Sequence, residues 1–133
     1  MTTQINTTTA NAGSVITIST AAETVAITSG VVSSPFAGGR SHIYGVLNVT
    51  LGATITNIGV RCRRQSLTGT SVATQLNYTE SLVSGSVRAI PFDFTENAPE
   101  LASAVYVITL TMTGQSSASF IATDSDITVA IGN

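Results

Sequence analysis

One histidine, one cysteine and seven acidic residues are all that this chain offers for catalysis or metal binding. A serine hydrolase would have to recruit His42 as its base. His42 instead falls in phase with Tyr44 on the polar side of a predicted strand and reads as a surface or interface side chain. A zinc site needs several His and Cys ligands, and His42 with Cys62 supplies one of each. Cys62 therefore reads as a small buried hydrophobe. Asp124 and Asp126, or Asp93 with Glu96, carry oxygens that suit calcium, but Asp124-Ser-Asp126 fits equally a turn that hydrogen-bonds its own backbone. The stretch Ala37-Gly-Gly-Arg40 is too short to cradle phosphate and leads into a strand. Asn6-Thr-Thr8, Asn48-Val-Thr50 and Asn77-Tyr-Thr79 match the glycosylation pattern, as chance allows in a chain so rich in threonine. Arg61 and Arg63 share a strand face, where they could clamp a neighbour's carboxylate or equally stand solvated on an outer strand. Nothing here forms an active site, a metal site or a cofactor site, and an enzyme is not expected.

The elements that would position these residues are strands. Period-two alternation recurs along the chain and no segment has a helical period. Residues 1–13 read as an irregular arm, and Ser14–Ser19 and Thr24–Thr28 as short strands, followed by a loop over Gly30–Arg40. Ile43, Leu47, Val49 and Leu51 then face one way, opposite His42, Tyr44, Asn48 and Thr50. Ile58, Val60 and Cys62 oppose Asn57, Arg61 and Arg63. After a turn at Leu67–Thr70, Val72–Tyr78 forms a further strand, and Ile90, Phe92 and Phe94 align in the next. Pro91 in that strand donates no ladder hydrogen bond and marks an edge or a bulge. Thr95–Ser103 reads as a loop. Ala104–Thr113 reads as one strand, with Tyr106, Ile108, Leu110 and Met112 on one face and Val105 and Val107 on the other. Apolar character on both sides implies cover on both sides, the second supplied by a neighbouring subunit. Ala118–Ala122 and Ile127–Ile131 complete the series, the last with Ile127, Val129 and Ile131 in phase.

Composition says what surrounds those strands. Charged residues are 9% of the 133, lysine is absent, and apolar residues reach 43%, against about 25% charged in an ordinary soluble domain. The polar share is instead 22 Thr and 16 Ser, side chains suited to strands and to faces pressed against another protein. A net charge of −2 gives no basic face for nucleic acid. No apolar run is long enough for a membrane helix. The opening Met1-Thr-Thr-Gln-Ile-Asn6 lacks the basic start and apolar stretch of a secretion signal. A single domain over 14–133 behind the arm at 1–13 is expected, built as an all-β, two-sheet antiparallel sandwich of the jelly-roll type.

Several of these stretches carry a resemblance: Ser41–Gly52, Ile58–Arg64, Ser86–Phe94, Val105–Leu110 and Ser125–Ile131. Together they are similar to the tumour-necrosis-factor-like jelly roll, and more closely resemble small tailed-phage virion proteins built on that fold. The first 40 residues depart from the pattern. The resemblance implies a homotrimer whose inner sheets meet around a threefold axis. It further implies a capsid decoration or head-fibre role on the outer surface of the virion, with the major capsid protein as partner. On that reading Val105, Tyr106, Val107, Ile108, Arg61 and Arg63 belong to the subunit interface or the core beneath it. The alternative is a trimeric fibre-tip or adhesin head that binds a host glycan. Such sites expose aromatics in loops, whereas the Tyr and Phe here fall mostly in strand phase and Trp is absent.

Overall fold

The computed structural model describes residues 4–9, 14–19, 23–34, 39–51, 57–78, 87–98, 101–113, 117–122 and 125–132. Its elements are the strands β1 (Gln4–Thr9), β2 (Ser14–Ser19), β3 (Thr24–Thr28), β4 (Val32–Ser34), β5 (Gly39–Leu51) and β6 (Asn57–Arg64), followed by β7 (Leu76–Tyr78), β8 (Val87–Ala98), β9 (Leu101–Ala104), β10 (Tyr106–Thr113), β11 (Ser117–Ala122) and β12 (Asp126–Gly132). No helix occurs among the described residues. Threonine, valine and isoleucine fill the strands, because branching at Cβ suits a pleated, half-buried surface.

Two sheets make the sandwich. The larger runs β1-β12-β5-β11-β2, with β8 on the other side of β5, and the smaller runs β3-β10-β6-β7. All pairings are antiparallel, and six of them are nested. The strand β1 pairs β12, β2 pairs β11, β3 pairs β10, β4 pairs β9, β5 pairs β8, and β6 pairs β7. A long two-stranded ribbon rolled up from its ends gives this order, which defines a jelly roll. The fold class expected from the alternation is the one observed.

The core lies between the sheets. Ile43 and Leu47 of β5, Ile58, Val60 and Cys62 of β6, and Ile90, Phe92 and Phe94 of β8 are all buried there. Tyr106, Ile108 and Leu110 of β10 and Ile127, Val129 and Ile131 of β12 complete it. These are the in-phase residues of the alternation, since a strand buries every second side chain. Pro91 sits opposite Val46 in β8, which pairs with β5 alone among the described residues, so the expected edge position holds. Gly45 lies where β5 is squeezed between neighbours: a Cβ there would meet the Asp126 carbonyl oxygen at 2.2 Å and the Phe92 ring at 2.9 Å.

Five local expectations need correction. The loop read over Gly30–Arg40 contains β4, which pairs with β9, and the first two residues of β5. Within the segment read as an irregular arm, Gln4–Thr9 is a strand in register with Asp126–Ile131. Its Thr-rich sequence lacks apolar alternation, and its backbone pairing with β12 is what makes it a strand. The predicted loop at 95–103 is mostly strand, because β8 follows β5 through twelve registered pairs to Ala98 and β9 begins at Leu101. The strand read over 104–113 is interrupted at Val105. There the backbone N–H bonds to Gln65 Oε1 at 3.3 Å, and the carbonyl accepts from Gln65 N–H at 2.9 Å, diverting both groups from a strand neighbour. Gln65 adopts φ 75° to make this contact. Finally, of the strand expected over Val72–Tyr78 only Leu76–Tyr78 is regular, while Val72 N–H reaches back to the Cys62 carbonyl.

Candidate functional site

Arg61 and Arg63, read as placed to clamp a neighbour's carboxylate, hold one from their own chain instead. Arg61 and Arg63 project from β6 on the outer face of the smaller sheet, registered against Thr109 and Val107 of β10. Glu23, just before β3, lies across them. Arg63 donates through Nη2 to Glu23 Oε1 at 3.0 Å and through Nε to Oε2, and Arg61 Nη1 donates to Oε1 at 3.0 Å. Arg63 Nη1 also donates to the Gly69 carbonyl at 2.8 Å, which ties the clamp to the 65–70 turn. The hydrogen bond from Arg63 holds the Glu23 carboxyl below its ordinary value, against the opposing effect of burial.

Beneath the clamp, Val107 is 3% exposed and Thr109 is fully buried within a single chain. The second apolar face of β10, expected to need a neighbouring subunit, is therefore already covered within the chain. Long arginine stems cover apolar surface while their heads stay wet. Val105 is half-buried at the strand break. Tyr106 and Ile108 point the other way and belong to the core.

Tyr106 anchors a second polar group, between the sheets. Its hydroxyl donates to Glu96 Oε2 at 2.9 Å and lies 2.8 Å from Ser41 Oγ. Arg64 pairs with the other Glu96 oxygen. The group joins β5, β6, β8 and β10. Arg64 and Glu96 extend the inward phases of Ile58-Val60-Cys62 and Ile90-Phe92-Phe94, a signal that could have located both. Glu23 gives no such signal, because it precedes its strand.

His42 lies on the outer face of the larger sheet. Its Nε2 is 2.8 Å from Asp93 Oδ1, with both side chains largely exposed, and its ring centroid lies 4.6 Å from that of Tyr44. Beside them a groove of about 420 Å³ opens between β7 and β8, lined by Tyr44, Gly45, Leu76, Tyr78, Pro91, Phe92 and Asp93. Among the described residues no group of three or more His, Cys, Asp and Glu could hold a metal ion. Asp124 falls outside the described residues, while Ser125 is buried and its Oγ accepts the Asn48 N–H at 3.0 Å. Burial pushes the Cys62 thiol up to about 12.

No protein-family model matches the chain, and no curated protein matches it in sequence. Solved structures do. A chain of the infectious bursal disease virus Gx strain overlays 97% of this chain at TM-score 0.60 and 18% identity. The Gt strain gives 96%, 0.64 and 15%, and the VP2 subviral particle of the same virus 97%, 0.56 and 13%. This chain spans 32%, 33% and 37% of those three chains, about a third of their length. At such low identity the likeness establishes the fold alone, which is all-β and jelly-roll-like.

Proposed function

We propose that this chain is a structural protein of a virus particle, whose work is binding energy rather than chemistry. One observation carries the reading: nearly the whole chain overlays on viral particle chains through a nested jelly roll. The sparse charge and the Thr- and Ser-rich strands support it, since a surface destined for contact with protein gives up charged groups.

In its finer form the proposal is a homotrimer that decorates the outer surface of a tailed-phage head and cements it to the major capsid protein. The face carrying Arg61, Arg63 and Val105 is one candidate contact, with Val107, Tyr106 and Ile108 as its support from beneath. Val25, on the same sheet, is 37% exposed and adds apolar area to that face. Apolar seams contribute about 25 cal/mol per Å² before the costs of association. A trimer that grips several shell subunits multiplies that gain through its effective concentration. Capsids prepared with and without the protein test the role. Loss of heat or salt resistance in its absence is expected, and equal resistance would reject the cementing role. Antibody against the recombinant chain should label the outside of intact particles. Particles that carry no label would reject the virion location.

A further inference from the structure

We propose that the groove between β7 and β8 is a binding site for a neutral saccharide. It lies where the sandwich edges meet, bridged by the Tyr78 hydroxyl donating to the Pro91 carbonyl. Its volume of about 420 Å³ falls within the range of about 300–1,000 Å³ typical of small-ligand sites. Tyr44 and Asp93 are directly registered cross-strand partners on β5 and β8, which puts both side chains on the outer face at the rim. Tyr44 is 39% exposed and Asp93 70% exposed.

His42 fixes the two in relation to each other. Its imidazole stacks on Tyr44 at 4.6 Å with a tilt of 35°, and its Nε2 holds Asp93 Oδ1 at 2.8 Å. The result is a braced aromatic ring beside a carboxylate and a ring nitrogen. The face of a pyranose presents C–H groups to such a ring while its vicinal hydroxyls both donate and accept. Among the described residues lining the groove only Asp93 carries a formal charge, and lysine is absent from the chain, so anionic ligands are disfavoured. A wholly apolar ligand would strip water from the exposed carboxylate without replacing its hydrogen bonds. The site needs no loop: it is assembled from strand residues that alternate outward.

Saturation-transfer NMR on the full chain tests this, with maltohexaose, cellohexaose and chitohexaose as neutral probes. The comparison ligands are 3′-sialyllactose and an arginine-flanked proline peptide. At least one neutral probe should bind, with Tyr44→Ala weakening it about tenfold and Asp93→Asn about threefold. Tyr44→Phe should keep most of the affinity, because the ring face remains, and it decides the matter with Asp93→Asn if Tyr44→Ala fails to fold. The proposal is overturned if no neutral probe binds at about 10 mM. Equal binding by folded Tyr44→Ala or Asp93→Asn, or binding of the peptide alone, overturns it too.

Discussion

Glu23 shows how much one carboxylate can organise. It receives two arginines on a face where a strand's apolar back would otherwise be wet, and it lies mostly out of water itself. Its pKa is depressed below 4.5, chiefly by the hydrogen bond from Arg63. A carboxyl that is more acidic folded than unfolded adds stability above its unfolded value. That contribution disappears as pH falls through the folded value. The melting temperature should therefore drop as pH falls from about 4.5, and Glu23→Gln should flatten part of that drop in a calorimetric pH series. At neutral pH, Glu23→Ala should cost about 2 kcal/mol in urea unfolding, between the values for exposed and buried pairs. Cys62 is the contrasting residue. With its thiol pushed up to about 12 and its side chain fully buried, it should resist a thiol reagent at pH 8 in native buffer and react at once in denaturant. Rapid native labelling would contradict its placement.

Among the elements, β10 carries most of the architecture. It lies between β3 and β6, and its inward residue Tyr106 reaches across to β5 and β8. Tyr106→Phe removes a hydrogen bond to a charged group and should cost about 2 kcal/mol. Glu96→Gln leaves Arg64 without its countercharge and should cost about 3 kcal/mol. The double variant should cost less than the sum, because the two changes strike one network. Strict additivity in denaturant melts would show that the group does not act as a unit.

These strands also show what the amino acids reveal unaided. The inward residues Ile58, Val60 and Cys62, or Ile127, Val129 and Ile131, were legible because alternation is local. Pro91 announced its edge for the same reason. The strand β1 was hidden: six residues of Gln, Ile, Asn and Thr become a strand only because β12 lies beside them, more than a hundred positions away. The break at Val105 depends on Gln65, and the clamp depends on Glu23, both through contacts distant in sequence. The groove joins residues of β5, β7 and β8, so only the assembled sandwich brings Tyr44, Tyr78 and Asp93 together.

At the scale of the molecule, the nested pairing places the first and last strands side by side and hands both sheets a single core. A chain with so few charges keeps a surface suited to contact with protein, and the finer proposal is that three copies meet there. The clamp over Val107 narrows how they can meet. A partner would dock on the outer groups Arg61, Arg63, Val25 and Val105, since Val107 and Thr109 are already sealed. The mass of the purified full chain, measured by light scattering across a range of concentrations, tests this most directly. One protomer weighs 13.6 kDa, and the account predicts a stable species of three times that mass. A particle that stays at the mass of one protomer at every concentration would contradict it.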